Sequence, residues 1–128
     1  RDLVVELERV RDQLRAMSAR EMLHAAAERV AFGWCQGTEA RASDGRPVEV
    51  TDPDAVLWSL LGALQAAAFA GQVARVEEIA IAVAAIAELI VDPSLAHWND
   101  ESSRTQQEVH AVLEGAEALT ARTVELFD

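Results

Sequence analysis

Gly33-Trp34-Cys35-Gln36-Gly37, Trp58-Ser59-Leu60-Leu61-Gly62-Ala63-Leu64 and His97-Trp98-Asn99-Asp100, with Arg104-Thr105 close behind, hold all three tryptophans, the only cysteine and one of the three histidines. Residues of these types can wall a small-molecule pocket. The indoles supply apolar area with one N–H donor each, and Gln36, Asn99, Asp100 and Arg104 would orient a ligand at the rim. His97 is the nearby group that titrates close to neutrality. Trp34, Gln36, Trp58, His97, Trp98, Asn99, Asp100 and Arg104 therefore make up the candidate ligand set. A structural reading competes with it. The tryptophans then serve as core anchors, Asn99 and Asp100 as turn and cap residues, and Arg104 as the partner of an acid.

Other chemistries find less support. Cys35 follows a helix end, whose dipole raises a thiol pKa, and no histidine stands in a nucleophile-activating context; a small buried hydrophobe is the plain reading. Glu21-Met22-Leu23-His24 is a single Glu-x-x-His, and there is neither a His-Glu-x-x-His nor a paired-Cys motif, so no metal is expected. His24 and Glu28 read as an i,i+4 surface pair. Without a Gly-rich phosphate loop, nucleotide binding has no basis. No catalytic residue is assigned and no cofactor is expected.

The elements that would position these residues are helical. Leu3, Leu7, Val10, Leu14 and Met17 alternate spacings of four and three, the narrow seam of a coiled coil. They form the expected oligomer interface, with an ordinary amphipathic helix on its own core as the alternative. Ser18-Ala19-Arg20-Glu21 fits a capping box, so a second helix is expected there, unless the two run on as one. Gly33 suits the left-handed position that ends it. Asp44-Gly45 signals a turn inside a short hairpin or ordered loop. Thr51-Asp52-Pro53-Asp54 signals a helix start, followed by twenty uncharged residues from Ala55 to Ala74. That stretch holds too many Ala, Gly and Gln to span a membrane. A helix over 76–91, apolar nearly all round, is expected to be covered on every side by its own fold or by a partner. Asp92-Pro93-Ser94 breaks it and starts a short helix, and Thr105-Gln106-Gln107-Glu108 caps a last helix carrying Val109, Val112, Leu113, Ala116, Leu119, Val124 and Leu126.

The 128 residues make one domain, large enough for a core without disulfides or metals. A core rich in Ala gains little per residue, so its helices must approach closely or share surface with a second subunit. One cysteine fits a reducing cytoplasm, and an opening of Arg1, Asp2 and an amphipathic helix gives no expectation of a leader. Residues 33–128 carry the whole net charge of −11, which repels phosphate backbones.

The three segments, in this order and joined by the Asp-Gly turn and the Thr-Asp-Pro-Asp start, resemble a family of small bacterial proteins, mainly actinobacterial, without an assigned function. The resemblance runs from about Ala25 to Ala118. Ser59 departs from it, since the family is expected to carry Cys there; Cys35 would then lack a partner that relatives have. The resemblance implies a coherent fold and no reaction.

The expected molecule is mainly α, a single domain over residues 1–128. It is a bundle of four to five helices with a short β-hairpin or ordered loop between the second and third, residues 1–17 forming an association element and 18–128 the core. The leading function is a non-catalytic, homo-oligomeric binding or regulatory module. A small enzyme or small-molecule binder with an aromatic-walled pocket is the alternative, and an acidic decoy of a basic protein surface is the third reading. A second copy of the chain is the expected partner, then a protein or small molecule; neither nucleic acid nor membrane is expected.

Overall fold

The computed structural model describes residues 2–71 and 76–125. These form five helices and a small sheet: α1 Leu3–Phe32, β1 Ala40–Arg41, β2 Leu57–Trp58, α2 Leu60–Ala70, α3 Val76–Ala87, α4 Leu95–Asp100 and α5 Gln106–Glu125. The fold is mainly helical, with its short antiparallel β-element between the first and second helices.

The two expected N-terminal helices are one continuous helix of 30 residues. Ser18 is therefore an interior residue and not a cap. Ala16 and Ala19 on either side of it are buried against the core, and that packing outweighs a local capping pattern. Asp2 caps the true start, accepting a hydrogen bond from the Val4 amide at 2.9 Å. α5 runs back along α1: Gln106 Nε2 donates to the Val30 carbonyl at 2.7 Å, and Glu117 meets His24 lower down. α2 and α3 pack on other parts of α1. Leu23, Val30, Leu60, Leu64, Ile86, Val109 and Leu113 fill the centre. Buried alanines on α1, α2, α3 and α5 bring the backbones together.

The helix start expected at 51–54 is instead a pair of turns, in which Asp52 Oδ1 accepts from the Asp54 amide at 2.8 Å. The chain then enters β2, and α2 begins only at Leu60, with the Ser59 hydroxyl accepting from the Gly62 amide at 3.0 Å. Gln72 and Ala74, at the far end of the expected helix, lie outside the described residues, as do Leu126 and the side chain of Val124. β1 pairs antiparallel with β2 in the register Ala40↔Trp58 and Arg41↔Leu57. On the other side of β2, Trp34 forms a parallel bridge to Trp58. The Asp44-Gly45 turn forms as expected, with Gly45 at φ 90° and the Ala42 amide donating to the Arg46 carbonyl at 3.0 Å.

Gly33 is extended, at φ −165°, so it does not end α1 by a left-handed turn. It is small for another reason: a Cβ there would run into the Val56 carbonyl and the Leu57 side chain. Gly62 makes a similar approach, and a Cβ on it would overlap the Glu39 carbonyl group. Gly62→Ala is expected to destabilise the fold by about 1–3 kcal/mol, the usual cost of overpacking, read from urea denaturation. A melting curve unchanged by this substitution would contradict the close approach.

α3 is covered on one side and open on the other. Ala82, Ala85 and Ile86 are buried while Val76 and Ile79 are exposed. Its own fold therefore covers α3 on one side only. Short alanines occupy part of the outer face, and α1 and α5 take only the inner one. Asp92-Pro93-Ser94 ends this region and starts α4, with Ser94 as N-cap bonded to the His97 amide at 3.1 Å. The Thr105 capping box forms in full: the Glu108 amide donates to Thr105 Oγ1 at 3.2 Å, and the Thr105 amide donates to Glu108 Oε1 at 3.0 Å.

Candidate functional site

α4 is short, but it carries the side chain on which three segments converge. Asn99 is fully buried, and its amide uses every hydrogen-bonding position it has. Its Oδ1 accepts from Trp34 Nε1 at 2.8 Å and from the Leu60 amide at 3.0 Å. Its Nδ2 donates to the Cys35 carbonyl at 3.1 Å and to Asp100 Oδ1 at 3.0 Å. One side chain thus ties the segment after α1 and the start of α2 to α4.

Its neighbours on the candidate ligand set strengthen the same junction. Gln36 Nε2 donates to the Asn99 carbonyl at 2.9 Å and to the Glu101 carbonyl at 2.8 Å. Asp100 is exposed as a residue, yet its Oδ1 also accepts from the Gly37 amide at 3.0 Å. Arg41, which sequence reasoning passed over, braces the loop from behind, reaching the Gln36 carbonyl at 3.0 Å and the Gly45 carbonyl at 2.9 Å. No local signal marks Arg41 for this role, because its partners depend on the turn between β1 and Pro47.

The tryptophans are all half-buried and fall into different settings. Trp34 and Trp58 lie on bridged backbone, with the Cys35 amide donating to the Trp58 carbonyl at 3.2 Å and the Trp58 amide donating to the Gly33 carbonyl at 3.1 Å. Trp34 has its indole N–H engaged by Asn99. The Trp58 indole N–H is buried without a hydrogen-bond partner among the described residues, and the Arg29 guanidinium sits 6.0 Å from its ring centroid. Trp98 lies under Arg104, whose guanidinium is 3.8 Å from the ring centroid. Arg104 also donates to the Trp98 carbonyl at 2.9 Å and pairs with Glu101 and Glu108 at 3.3 and 3.2 Å. A cleft of about 260 Å³ opens elsewhere, between α1 and α2, lined by residues such as Met22, Ala25, Arg29 and Ala67 rather than by this trio.

His97 bonds outside this network, to Ser94 and Asp92. It is exposed and its Nδ1 contacts Asp92 Oδ2. That hydrogen bond, followed by the carboxylate's charge, lifts the imidazole above its usual range. The same bond, with a second one from the Ser94 amide, holds Asp92 below the usual carboxylate range. Cys35 is buried, and its thiol lies 3.7 Å from the Thr38 carbonyl. Burial pushes its pKa up, opposed by the nearby Arg41 charge, which leaves a protonated thiol at neutral pH and a poor nucleophile.

His24 ties the two longest helices. Its Nδ1 lies 3.1 Å from Glu117 Oε1 and its Nε2 lies 2.7 Å from Glu28 Oε1. The hydrogen bond to Glu117 is the leading cause of a raised His24 pKa. The folded value thus lies above the unfolded one of about 6.5, so the contribution to stability is complete below that pH and is lost as pH rises through the folded pKa. An NMR titration is expected to place His24 above 6.5, with Glu117→Gln bringing it back toward that value. A native midpoint at or below 6.5 would refute the pairing.

Of the five residues expected at an oligomer interface, all are exposed: Leu3 at 70%, Leu7 at 68%, Val10 at 53%, Leu14 at 57% and Met17 at 37%. No helix of the described residues is long and apolar enough to cross a membrane. No curated protein and no solved structure matches the sequence. A family of unknown function (DUF6197) matches residues 14–119, most of the chain, and the protein belongs to that family.

Proposed function

We propose that the protein is a non-catalytic module that self-associates through the N-terminal half of α1. The observation that carries this reading is the exposed seam at Leu3, Leu7, Val10 and Leu14. From Leu3 to Arg11 every residue is exposed, and burial on α1 begins only at Ala16. The first twelve or so helical residues, about 18 Å of helix, thus present an apolar stripe with charged flanks, and no element among the described residues covers it. All of these turns up to Gln13 precede the family match, which begins at Leu14. A helix segment of this length without tertiary packing is marginal in water, and a second copy laid along the seam supplies the packing it lacks.

The energetics favour a reversible assembly. Full burial of a Leu or Val is worth about 1.5–3 kcal/mol. Burying the exposed parts of Leu3, Leu7, Val10 and Leu14 on two copies therefore supplies roughly 10 kcal/mol, of the same order as the cost of association, about 4–15 kcal/mol. Assembly should consequently depend on concentration. The buried single cysteine fits a reducing, cytoplasmic setting. The small-molecule alternative rests on the half-buried tryptophans, but Asn99 has no hydrogen-bonding capacity left for a ligand.

Amide hydrogen exchange over residues 4–14 tests this reading. Protection there should rise as protein concentration is raised from about 1 to about 100 µM, a range that spans ordinary dimer formation. Fast exchange at every concentration would reject it.

A further inference from the structure

Asp92, His97 and Glu101 gather three donors of two kinds at one point beside α4, with side chains that take no part in the Asn99 bonds. One ligand atom from each, an imidazole nitrogen and two carboxylate oxygens, lies within 4.8 Å of the others. We propose that these residues form a three-ligand site for a divalent transition-metal ion, Zn²⁺ being the ion whose preferences the donors match.

The local chain makes the arrangement. His97 and Glu101 are four residues apart, on α4 and at its C-cap, so their side chains stand on one face. Asp92 is brought alongside by the turn that Pro93 and Ser94 make before the helix. Its side chain is only 14% exposed, and Oδ1 is fixed by the Ser94 amide at 2.9 Å, which leaves Oδ2 facing the His97 ring. Glu101 is steadied through Oε2 by Arg104 at 3.3 Å, and Arg104 is itself held by the Trp98 carbonyl and ring. Two of the three ligands are thus oriented by outer partners, as ligands in metal sites are.

Zn²⁺ binds such donors at about 2.0–2.2 Å, which places ligand atoms about 3.4 Å apart in a tetrahedron. The widest separation, within 4.8 Å, closes to that with a shift of about 1 Å or a little more, while His97 Nδ1 and Asp92 Oδ2, now hydrogen-bonded to each other, must part to admit the ion. His97, 72% exposed in its side chain, has room to turn by that amount once the ion replaces its bond to Asp92. Two carboxylates balance the charge of a divalent ion. Arg104 opposes it, but its guanidinium is shared with Glu108 as well as Glu101. Mg²⁺ and Ca²⁺ prefer all-oxygen sites, so the imidazole selects against them. Three protein ligands leave a position for water, and the ion would tie the turn before α4 to the residue that ends it.

His24 provides an internal control. Its two carboxylate partners lie on opposite ring nitrogens, so they cannot share an ion with one imidazole nitrogen. Calorimetric titration of the full chain with ZnCl₂ is expected to show one tight equivalent that excess MgCl₂ does not displace. His97→Ala and Glu101→Gln should each weaken it by about tenfold or more, at least the loss seen when only an outer partner of a metal ligand is removed. His24→Ala should leave it unchanged. Both ligand positions are exposed, so the variants are expected to keep the native circular dichroism. The proposal is overturned by native protein that takes up no Zn²⁺, or by uptake that survives either ligand substitution.

Discussion

Leu7→Asp combined with Leu14→Asp is expected to abolish the proposed self-association while leaving the fold intact. The two positions are 68% and 57% exposed within one chain, so a carboxylate there meets water in the monomer and costs the fold little. In the assembly the same carboxylates would face apolar side chains of the second copy and one another. Burying an unpaired charge costs several kcal/mol, comparable to the whole driving force estimated for the seam. Sedimentation velocity should therefore show a single light species at concentrations where the native chain is heavier, with melting of the core nearly unchanged. Changes at Arg11, which flanks the seam and pairs with its own neighbour Asp12, should matter far less. A double variant that assembles like the native chain would move the interface away from α1.

Asn99→Ala is expected to be the most damaging single truncation in the polar part of the structure, at about 3–5 kcal/mol. Four hydrogen bonds disappear together, leaving the Trp34 indole N–H, the Leu60 amide and the Cys35 carbonyl without their partner. Buried donors and acceptors stranded in this way each cost about 1–3 kcal/mol. The losses fall on one network and will not add in full. Asn99→Asp separates hydrogen bonding from shape. It keeps the volume and the acceptor for Trp34 and Leu60, but an ionised carboxylate cannot donate to the Cys35 carbonyl and stands beside Asp100. Both variants should unfold at lower urea concentration, and Asn99→Ala should give a Trp34 emission shifted toward that of exposed indole. Destabilisation below about 1 kcal/mol for Asn99→Ala would show that the junction is not a point of mechanical closure.

Local signals gave the right answer wherever the physics is local. The Thr105–Glu108 box, the Ser94 cap after Asp92-Pro93 and the Asp44-Gly45 turn are all built from contacts within a few residues. The start of α2 was misplaced because Leu57 and Trp58 are drawn into a sheet by the segments at 34 and 40–41, a non-local pairing that the 51–54 signal cannot foresee. The choice between one helix and two at Ser18, open from the local pattern, falls to one helix for the converse reason, since burial of Ala16 and Ala19 carries it through the capping-box residues. Of the candidate ligand set, chosen by residue type and place at segment ends, Trp34, Gln36, Asn99 and Asp100 share one hydrogen-bond network. What spacing could not show is which hydrogen bonds they make, because the partners lie some 63–65 residues away, as in Gln36 to Asn99, Gly37 to Asp100 and Trp34 to Asn99. The carboxylates around His97 were also within reach of the sequence, since Glu101 follows at helical spacing, but Asp92 joins only through the turn at Pro93.

Sedimentation equilibrium of the full chain, diluted in steps from about 100 µM to about 1 µM, measures self-association without labels or substitutions. A mass above one chain is expected at the upper end, falling toward one chain on dilution. A mass of one chain throughout that range would contradict it, and the exposed seam on α1 would then need another partner.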